Sequence, residues 1–407
     1  VTRWIKNRFH LLEALLATAY FGYPAKKITV IGITGTDGKT TTTTLIYEIL
    51  KTADRKVALI STVSAYIGKK KIDTGLHVTT PSPWALQKLI KRAVEAGCKF
   101  LVLEVTSHGL DQYRVLGTNI SIAVITNITH EHLDYHKTHS EYLKAKSKIF
   151  KNAKVAVLNK TDSSYKKLKR RLEKSVKTIP YDANSFKGRI KEAINARFPE
   201  IYNRLNACAA ISVAKEIGVQ EKDIVSAIKN FSGVPGRMEY IKNKRGIKII
   251  VDFAHTPNAL ENVLKSLKIN LKAKTKLICV FGCAGERDYL KRPLMGGISA
   301  RLADVSVFTA EDPRHEGVSD IIDAMVKGAL KTKAEEIREE DFSKKSRNNV
   351  FIRIPDRREA IKYAINKLAR KGDTVIVCGK GHERSMAYGS VEKPWSDQAV
   401  IKRILSR

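Results

Sequence analysis

Cysteine is scarce in this chain: five residues, at positions 98, 208, 279, 283 and 378, an odd number without a CxxC pair and mostly set inside apolar runs. That excludes a disulfide framework and fits buried, reduced thiols in a reducing compartment such as the cytoplasm. Acidic residues are few as well, 41 Asp+Glu against 74 Lys+Arg, which leaves a formal charge of +33. Such an excess favours anionic partners without naming one. No RNP-like pattern, Cys/His finger or basic-zipper heptad accompanies it, so a dedicated nucleic-acid module is not expected. Long hydrophobic runs are missing too. The apolar stretch Phe9 to Tyr23 is broken by His10 and Glu13, which spoils its likeness to a signal sequence; it is also too short to span a bilayer and is followed at once by Lys26-Lys27. No Gly, Pro or Gln tract marks a disordered segment.

What is present is globular: 43% hydrophobic and 28% charged residues over 407 positions, a length suited to two or three domains. Near the start, Ile5, Phe9, Leu12, Leu16 and Ala19 recur at helical spacing among Arg3, Lys6 and Arg8, which predicts a basic amphipathic helix. Its apolar face is expected to pack on the protein, with a membrane surface as the other reading. In Lys160–Lys177, helical spacing would put Lys166, Lys167, Lys169, Arg170, Arg171 and Lys174 on a solvated face.

From Lys27 onward, β-branched runs alternate with helical periods. Strands are expected at 28–33, 101–105, 120–125 and 155–158, with helices from Thr40 and across 140–152. A helical stretch over 199–218 and 221–231 then closes at the turn-rich Gly233-Val-Pro-Gly236. A second series puts strands at 247–251, 277–281, 305–309, 350–352 and 374–377, with helices after Pro257, Pro293, Ser319 and Asp356. The fold class is therefore α/β: an N-terminal helix (1–26), a domain with a parallel sheet (27–235), whose glycine loop at 35–38 makes it the expected P-loop nucleotide-binding part, and a Rossmann-like α/β domain (236–407).

The strongest local signal is Ile28-Thr-Val-Ile-Gly-Ile-Thr-Gly-Thr-Asp-Gly-Lys-Thr-Thr41, a strand running through a glycine loop into a helix. Gly35 and Gly38 let backbone N–H groups close on phosphate oxygens. Lys39 supplies a point charge, and Thr40 offers a helix N-terminus and a hydroxyl for Mg²⁺. The loop is shorter than G-x-x-x-x-G-K-[ST], because position 33 is Ile.

This G-T-x-G-K-T-T loop resembles the ATP loop of the Mur ligases and their folylpolyglutamate synthetase relatives. Further blocks follow in the family's order. Glu104-Val-Thr-Ser-His-Gly-Leu-Asp-Gln-Tyr-Arg114 is similar to a stretch of the tripeptide-forming branch, as are Thr126-Asn-Ile-Thr-His-Glu-His-Leu-Asp-Tyr-His136 and Tyr142-Leu-Lys-Ala-Lys146. Tyr202-Asn-Arg-Leu-Asn206, Gly233–Glu239, Val251–Pro257, Gly285–Asp288 with Lys291-Arg-Pro293, Asp312-Pro-Arg314 and Gly379-Lys-Gly-His-Glu383 continue the match to the C-terminus.

Amide formation from a carboxylate needs activation, by phosphorylation first and then attack by an amine, with negative charge to neutralise at both steps. Lys39, Glu104, His132 and Lys146 are the expected catalytic set. Glu104, at the end of an apolar strand, would share Mg²⁺ with Thr40. The resemblance implies a second Mg²⁺ held by His132 and by Lys146 as a carbamate. It also assigns ATP to Gly35, Thr36, Asp37, Gly38, Lys39, Thr40 and Thr41 in the first domain, and to Asn203, Arg237, Asp252 and His255 from across the cleft, with Arg237 placed where domain closure would be coupled. His77-Val-Thr-Thr-Pro81, with Thr79 and Thr80, resembles muramoyl-peptide contacts, as do Thr106, Gln112 and Arg114.

Arg287, Asp312, Arg314, Gly379 and Glu383 would grip the incoming amino acid. Members that add meso-diaminopimelate carry D-N-P-R, whereas this chain has Glu311-Asp312-Pro313-Arg314. Arg314 suits a distal carboxylate, while Asp312 could equally hold the ammonium of lysine. The resemblance thus implies an ATP-dependent ligase, acting as a cytoplasmic monomer, that adds meso-diaminopimelate or lysine to a muramoyl-L-Ala-D-Glu precursor through an acyl phosphate. The other readings are a related ligase on a lipid-linked or pseudomurein precursor, and a binding paralogue without turnover. Only about 26 residues precede the first strand, so the family's N-terminal uridine-nucleotide domain is not expected in this chain. Asp37 is a smaller departure, standing where the family usually has another residue.

Overall fold

The computed structural model describes residues 2–68, 70–72, 79–129, 131, 133–340 and 349–406. His77 and His132 lie outside the described residues. Residues Val1–Ser232 and Gly233–Arg407 form two compact units, and each is described by itself.

The first unit is built on an eight-stranded sheet. Its parallel part runs, in spatial order, Val57–Ile60, Phe100–Glu104, Thr29–Thr34, Ile120–Ile125, Val155–Asn159 and Lys177–Tyr181. The hairpin Ala65–Ile67 and Lys70–Ile72 adds an antiparallel edge. The central strands are buried almost throughout because crossover helices cover the sheet, which is why they read as continuous apolar runs rather than alternating ones. Pro180 is tolerated because Lys177–Tyr181 is the terminal strand of the order. Helices start where the sequence supplies caps. Ser82 accepts a hydrogen bond from Ala85 N–H ahead of Pro83, and Thr138 does the same for Glu141 N–H.

In the second unit a seven-stranded sheet runs Glu335–Glu336, Val350–Arg353, Val305–Phe308, Leu277–Phe281, Thr374–Cys378, Lys248–Asp252 and Glu239–Ile241. Every pairing is parallel except the last. Thr256, just before Pro257, and Asp356 cap the helices Pro257–Ile269 and Arg357–Tyr363. In both units, loops at the carboxyl ends of the strands carry many of the expected site residues, which is where open α/β sheets bind ligands, while Lys146 and Asn203 stand on helices.

Two expectations need correction. Of the basic stretch 160–177, only Tyr165–Lys169 is helical. Its cationic side chains are exposed as foreseen, but only Lys166, Lys167 and Lys169 stand on that helix, and Arg170, Arg171 and Lys174 follow it in turns. The N-terminal helix Thr2–Tyr20 forms, yet its predicted packing face points outward: Ile5, Phe9, Leu12, Leu16 and Ala19 are all exposed. The buried face is instead Ala14, Ala17 and Thr18. Small side chains allow close approach. A Cβ on Gly117 would lie 2.4 Å from Thr18 Cγ2, and Thr18 Oγ1 donates to Leu116 O at 3.3 Å.

Candidate active site

Three neighbouring strands end at one place. Thr29–Thr34 lies between Phe100–Glu104 and Ile120–Ile125, with Ile33 in register with Glu104 and Thr34 with Ile125. The first strand therefore delivers Gly35 beside Glu104 on one side and Thr126 on the other.

The loop from Gly35 to Gly38 requires glycine. Gly35 has φ +155° and a Cβ there would lie 1.8 Å from Thr126 Oγ1; Gly38 has φ +80° and a Cβ there would lie 2.2 Å from Asn206 Oδ1. Neighbours hold the loop through its carbonyls. Lys39 Nζ donates to Gly35 O (3.0 Å) and Thr36 O (2.7 Å). Lys146 Nζ donates to Gly35 O at 2.7 Å, and Thr126 Oγ1 and Asn127 Nδ2 donate to Asp37 O. Thr36 Oγ1 accepts from Thr129 N–H and sits 3.2 Å from Tyr142 OH. The helix Lys39–Thr52 then opens with Thr40 and Thr41 in its first turn, where N–H groups have no intrahelical acceptor.

Glu104 is 1% exposed. Its carboxylate accepts from Thr40 Oγ1 at 3.0 Å, from Thr62 N–H at 3.0 Å and from Thr62 Oγ1 at 2.9 Å. Lys146, also 1% exposed, enters from the helix His139–Ser147. Burial, and next the Lys39 cation, hold its amine well below the usual lysine range, with Glu131 and Asp37 pulling the other way.

The expected acceptor residues divide. Thr62 Oγ1 lies 3.0 Å from Thr79 Oγ1, which ties Thr79 to the Glu104 cluster. Thr80 accepts from Thr106 N–H, and Arg114 donates to Thr80 O, so these three form one patch; Thr106 Oγ1 also caps the helix Ser107–Asp111. Gln112 is turned instead toward Tyr135, with Nε2 3.4 Å from its hydroxyl.

In the second unit, Arg237 lies with its guanidinium 4.3 Å from the centre of the Phe253 ring, and His255 packs on the same ring at 4.4 Å. The Asp252 carboxylate accepts from Met238 N–H (2.7 Å) and Ala254 N–H (2.8 Å), so it fixes the two segments that carry Arg237 and His255. Among the amino-acid candidates, Asp312 Oδ1 accepts from Lys380 Nζ at 2.7 Å and from Ala387 N–H at 2.9 Å. Lys380 Nζ also lies 2.6 Å from Glu383 Oε2. Burial opposes the Lys380 charge, but the Glu383 and Asp312 carboxylates outweigh it and hold the ammonium above the usual lysine range. Arg314 spends one donor on Gly285 O. Gly379, at φ +107°, would place a Cβ 2.3 Å from Glu311 Oε2, and Arg287 is exposed.

Several residues were missed by sequence reasoning. Asn203, expected at the nucleotide, hydrogen-bonds Glu200. Asn206, one helical turn after Asn203 and 3.5 Å from its Oδ1, stands beside Gly38, and the i,i+3 spacing of these two asparagines was the available signal. Lys380 lies within Gly379-Lys-Gly-His-Glu383, where one more lysine in a lysine-rich chain carries no signal of its own. Thr62 carried no motif at all.

The residues present fit a nucleotide and a hard cation. The glycine cradle leaves no room for a Cβ, Lys39 is at the loop, and the oxygen set of Thr40 and Glu104 suits Mg²⁺, which usually takes one or two carboxylates together with phosphate oxygens. Among the described residues, no group of three or more His, Cys, Asp and Glu side chains could hold a metal by itself.

A strand, glycine loop and helix beside a buried strand-end carboxylate, in one of two α/β units, define a nucleotide-dependent transferase or ligase architecture. The family follows from comparison: residues 33–214 match the Mur ligase middle domain and residues 236–381 the Mur ligase glutamate ligase domain. The chain belongs to the Mur ligase family, ATP- and Mg²⁺-dependent ligases that form amide bonds in peptidoglycan synthesis. It is 37% identical over 409 residues to the UDP-N-acetylmuramoyl-L-alanyl-D-glutamate--2,6-diaminopimelate ligase of Parabacteroides distasonis, an alignment covering 96% of this chain and 81% of that one. A solved structure of a ligase with the same name is 30% identical with TM-score 0.58, covering 93% of this chain and 78% of that one. E. coli FolC in complex with DHPP and ADP, 18% identical with TM-score 0.67 over 90% of this chain and 89% of that one, shares the fold.

Proposed function

We propose that this chain adds meso-diaminopimelate to the D-glutamyl carboxylate of a muramoyl-L-alanyl-D-glutamate precursor in the cytoplasm, where five free, buried cysteines are at home. The acceptor carboxylate takes the terminal phosphoryl group of ATP and ADP leaves. The diamino acid's amine then attacks the acyl carbon, phosphate departs, and the nitrogen gives up a proton. Mg²⁺, when bound, would supply charge neutralisation to the transferring phosphoryl group.

The chain's own residues prepare this. Gly35 and Gly38 would bring backbone against phosphate, Lys39 would offset its charge, and Glu104, oriented by Thr40 and Thr62, would be the carboxylate that holds the metal. Thr79, Thr80, Thr106 and Arg114 would meet the acceptor; Arg237, Asp252 and His255 would meet the nucleotide. Lys146 would carry a carbamate, because CO₂ adds to a neutral amine and burial disfavours the ammonium. ¹³C NMR of the native protein under ¹³CO₂ tests that modification: a carbamate resonance that disappears in Lys146→Arg is expected, and no carbamate resonance in the parent is the contrary result.

One observation carries the choice of amino acid. Asp312 gives its Oδ1 to Lys380 and to Ala387 N–H, so the residue that could have received lysine's ammonium already has an internal cation, while Arg314 retains donors for a distal carboxylate. Phosphate release with UDP-linked and lipid-linked muramoyl-dipeptides, across a panel of amino acids, tests the reading. Acceptor-dependent turnover that prefers meso-diaminopimelate over lysine is expected; turnover without acceptor, or an equal rate with lysine, overturns it.

A further inference from the structure

The outward face of the N-terminal helix is left unused by the chemistry. Ile5, Phe9, Leu12, Leu16 and Tyr20 are spaced by three or four residues and fall within about 80° of one another on the helix wheel. All are exposed, Phe9 at 69% and Tyr20 at 75%. A single exposed Leu is ordinary, but a continuous stripe of this size marks an interaction surface. The opposite face, Ala14, Ala17 and Thr18, anchors the helix to the first unit, so the stripe is held preformed and binding need not order it. Aromatic rings cluster at its C-terminal end, where Trp84 meets Tyr20 at 5.5 Å and Phe21 at 6.2 Å.

The surroundings indicate what covers it. Lys6 flanks the stripe and Lys26 and Lys27 follow the helix, all exposed. On the helix Pro83–Glu95, Trp84, Lys88 and Lys91 stand at i, i+4 and i+7 and are exposed as well. An apolar strip with an aromatic end and lysines around it matches an anionic lipid surface, with acyl chains below and negatively charged headgroups at the rim. A second copy would bring basic rim against basic rim in a chain of charge +33. Among the described residues, no helix is long and apolar enough to cross a membrane, so the contact is with the surface.

We infer that the exposed face of helix Thr2–Tyr20 docks this protein on an anionic phospholipid surface. The inference does not depend on which amino acid or acceptor the ligase uses. The test is co-sedimentation of the full chain with vesicles of phosphatidylglycerol and phosphatidylcholine, or of phosphatidylcholine alone. The triple variant Phe9→Ser, Leu12→Ser, Leu16→Ser is run in parallel, with nucleotide turnover as the check on folding. Expected are binding to the anionic vesicles, weakening with added salt, and a loss of about tenfold or more in the variant at unchanged turnover. Equal binding by variant and parent would assign the effect to general charge and overturn the proposal. So would absence of vesicle binding, whether or not the parent chain forms a dimer that the variant does not.

Discussion

Thr40 and Glu104 are 64 residues apart in the chain, yet the hydroxyl of one donates to the carboxylate of the other at 3.0 Å inside the protein. The pair joins the start of the loop helix to the end of the neighbouring strand. Parallel register alone brings them together, since Ile33 is paired with Glu104.

The loop lysine is the first point of attack. Lys39→Ala should lower ADP release by about a hundredfold or more, the scale seen when a group stabilising charge at a reacting centre is removed. The melting temperature should move little, since Lys39 Nζ only bridges two carbonyls of a half-buried loop.

Thr62→Val removes a hydroxyl but keeps the shape. Glu104 then loses one of its donors, and the Mg²⁺ concentration giving half-maximal ADP release should rise severalfold while the backbone N–H bond from position 62 persists. A metal titration of parent and variant reads this directly.

Lys380→Met strands two buried or half-buried carboxylates and should cost about 3–5 kcal/mol of stability, the usual result of removing one partner from a buried ionic cluster. Asp312→Asn should be mild, because Glu383 still partners the ammonium. Its preference for meso-diaminopimelate over lysine should stay as in the parent, measured as a ratio of kcat/KM values.

Glu311 gives a pH signature. Burial raises its pKa above the ordinary 4.5, more than Lys291, His255 and Arg357 lower it. The folded state therefore binds more protons than the unfolded one just above 4.5, and this carboxyl's contribution to stability falls as pH rises through that window. Glu311→Gln, which cannot ionise, should gain stability relative to the parent as pH increases from acid to neutral. Parallel thermal melts across the range would show the gap widening in its favour.

Most of the architecture was legible because buried parallel strands advertise themselves. Leu277–Phe281 is apolar from end to end, and Ile120–Ile125 is apolar but for Ser121. The hairpin over 65–72 was not, since it is short and its outer strand is Lys-Lys-Ile. The terminal strand Lys177–Tyr181 hides behind Pro180. The N-terminal helix shows a deeper limit. Periodicity reveals that a helix has an apolar side, but Ala14, Ala17 and Thr18 pack more closely than Leu12 or Leu16 could, and no spacing rule ranks close approach above hydrophobic area. At the site, the glycines, Lys39, Glu104 and Lys146 were readable from local motifs. Thr62 and Asn206 act only through what folding sets beside them, and Lys380 shows its importance only once Asp312 and Glu383 are seen around it.

Every thiol in the chain is unbridged and enclosed, with Cys98 and Cys208 in the first unit and Cys279, Cys283 and Cys378 in the second. The protein thus carries its own opening clock for each half. A maleimide added under native conditions should label the two sets at rates governed by local unfolding. Peptide mapping of the adducts would then report which half loosens first, and whether nucleotide slows one more than the other.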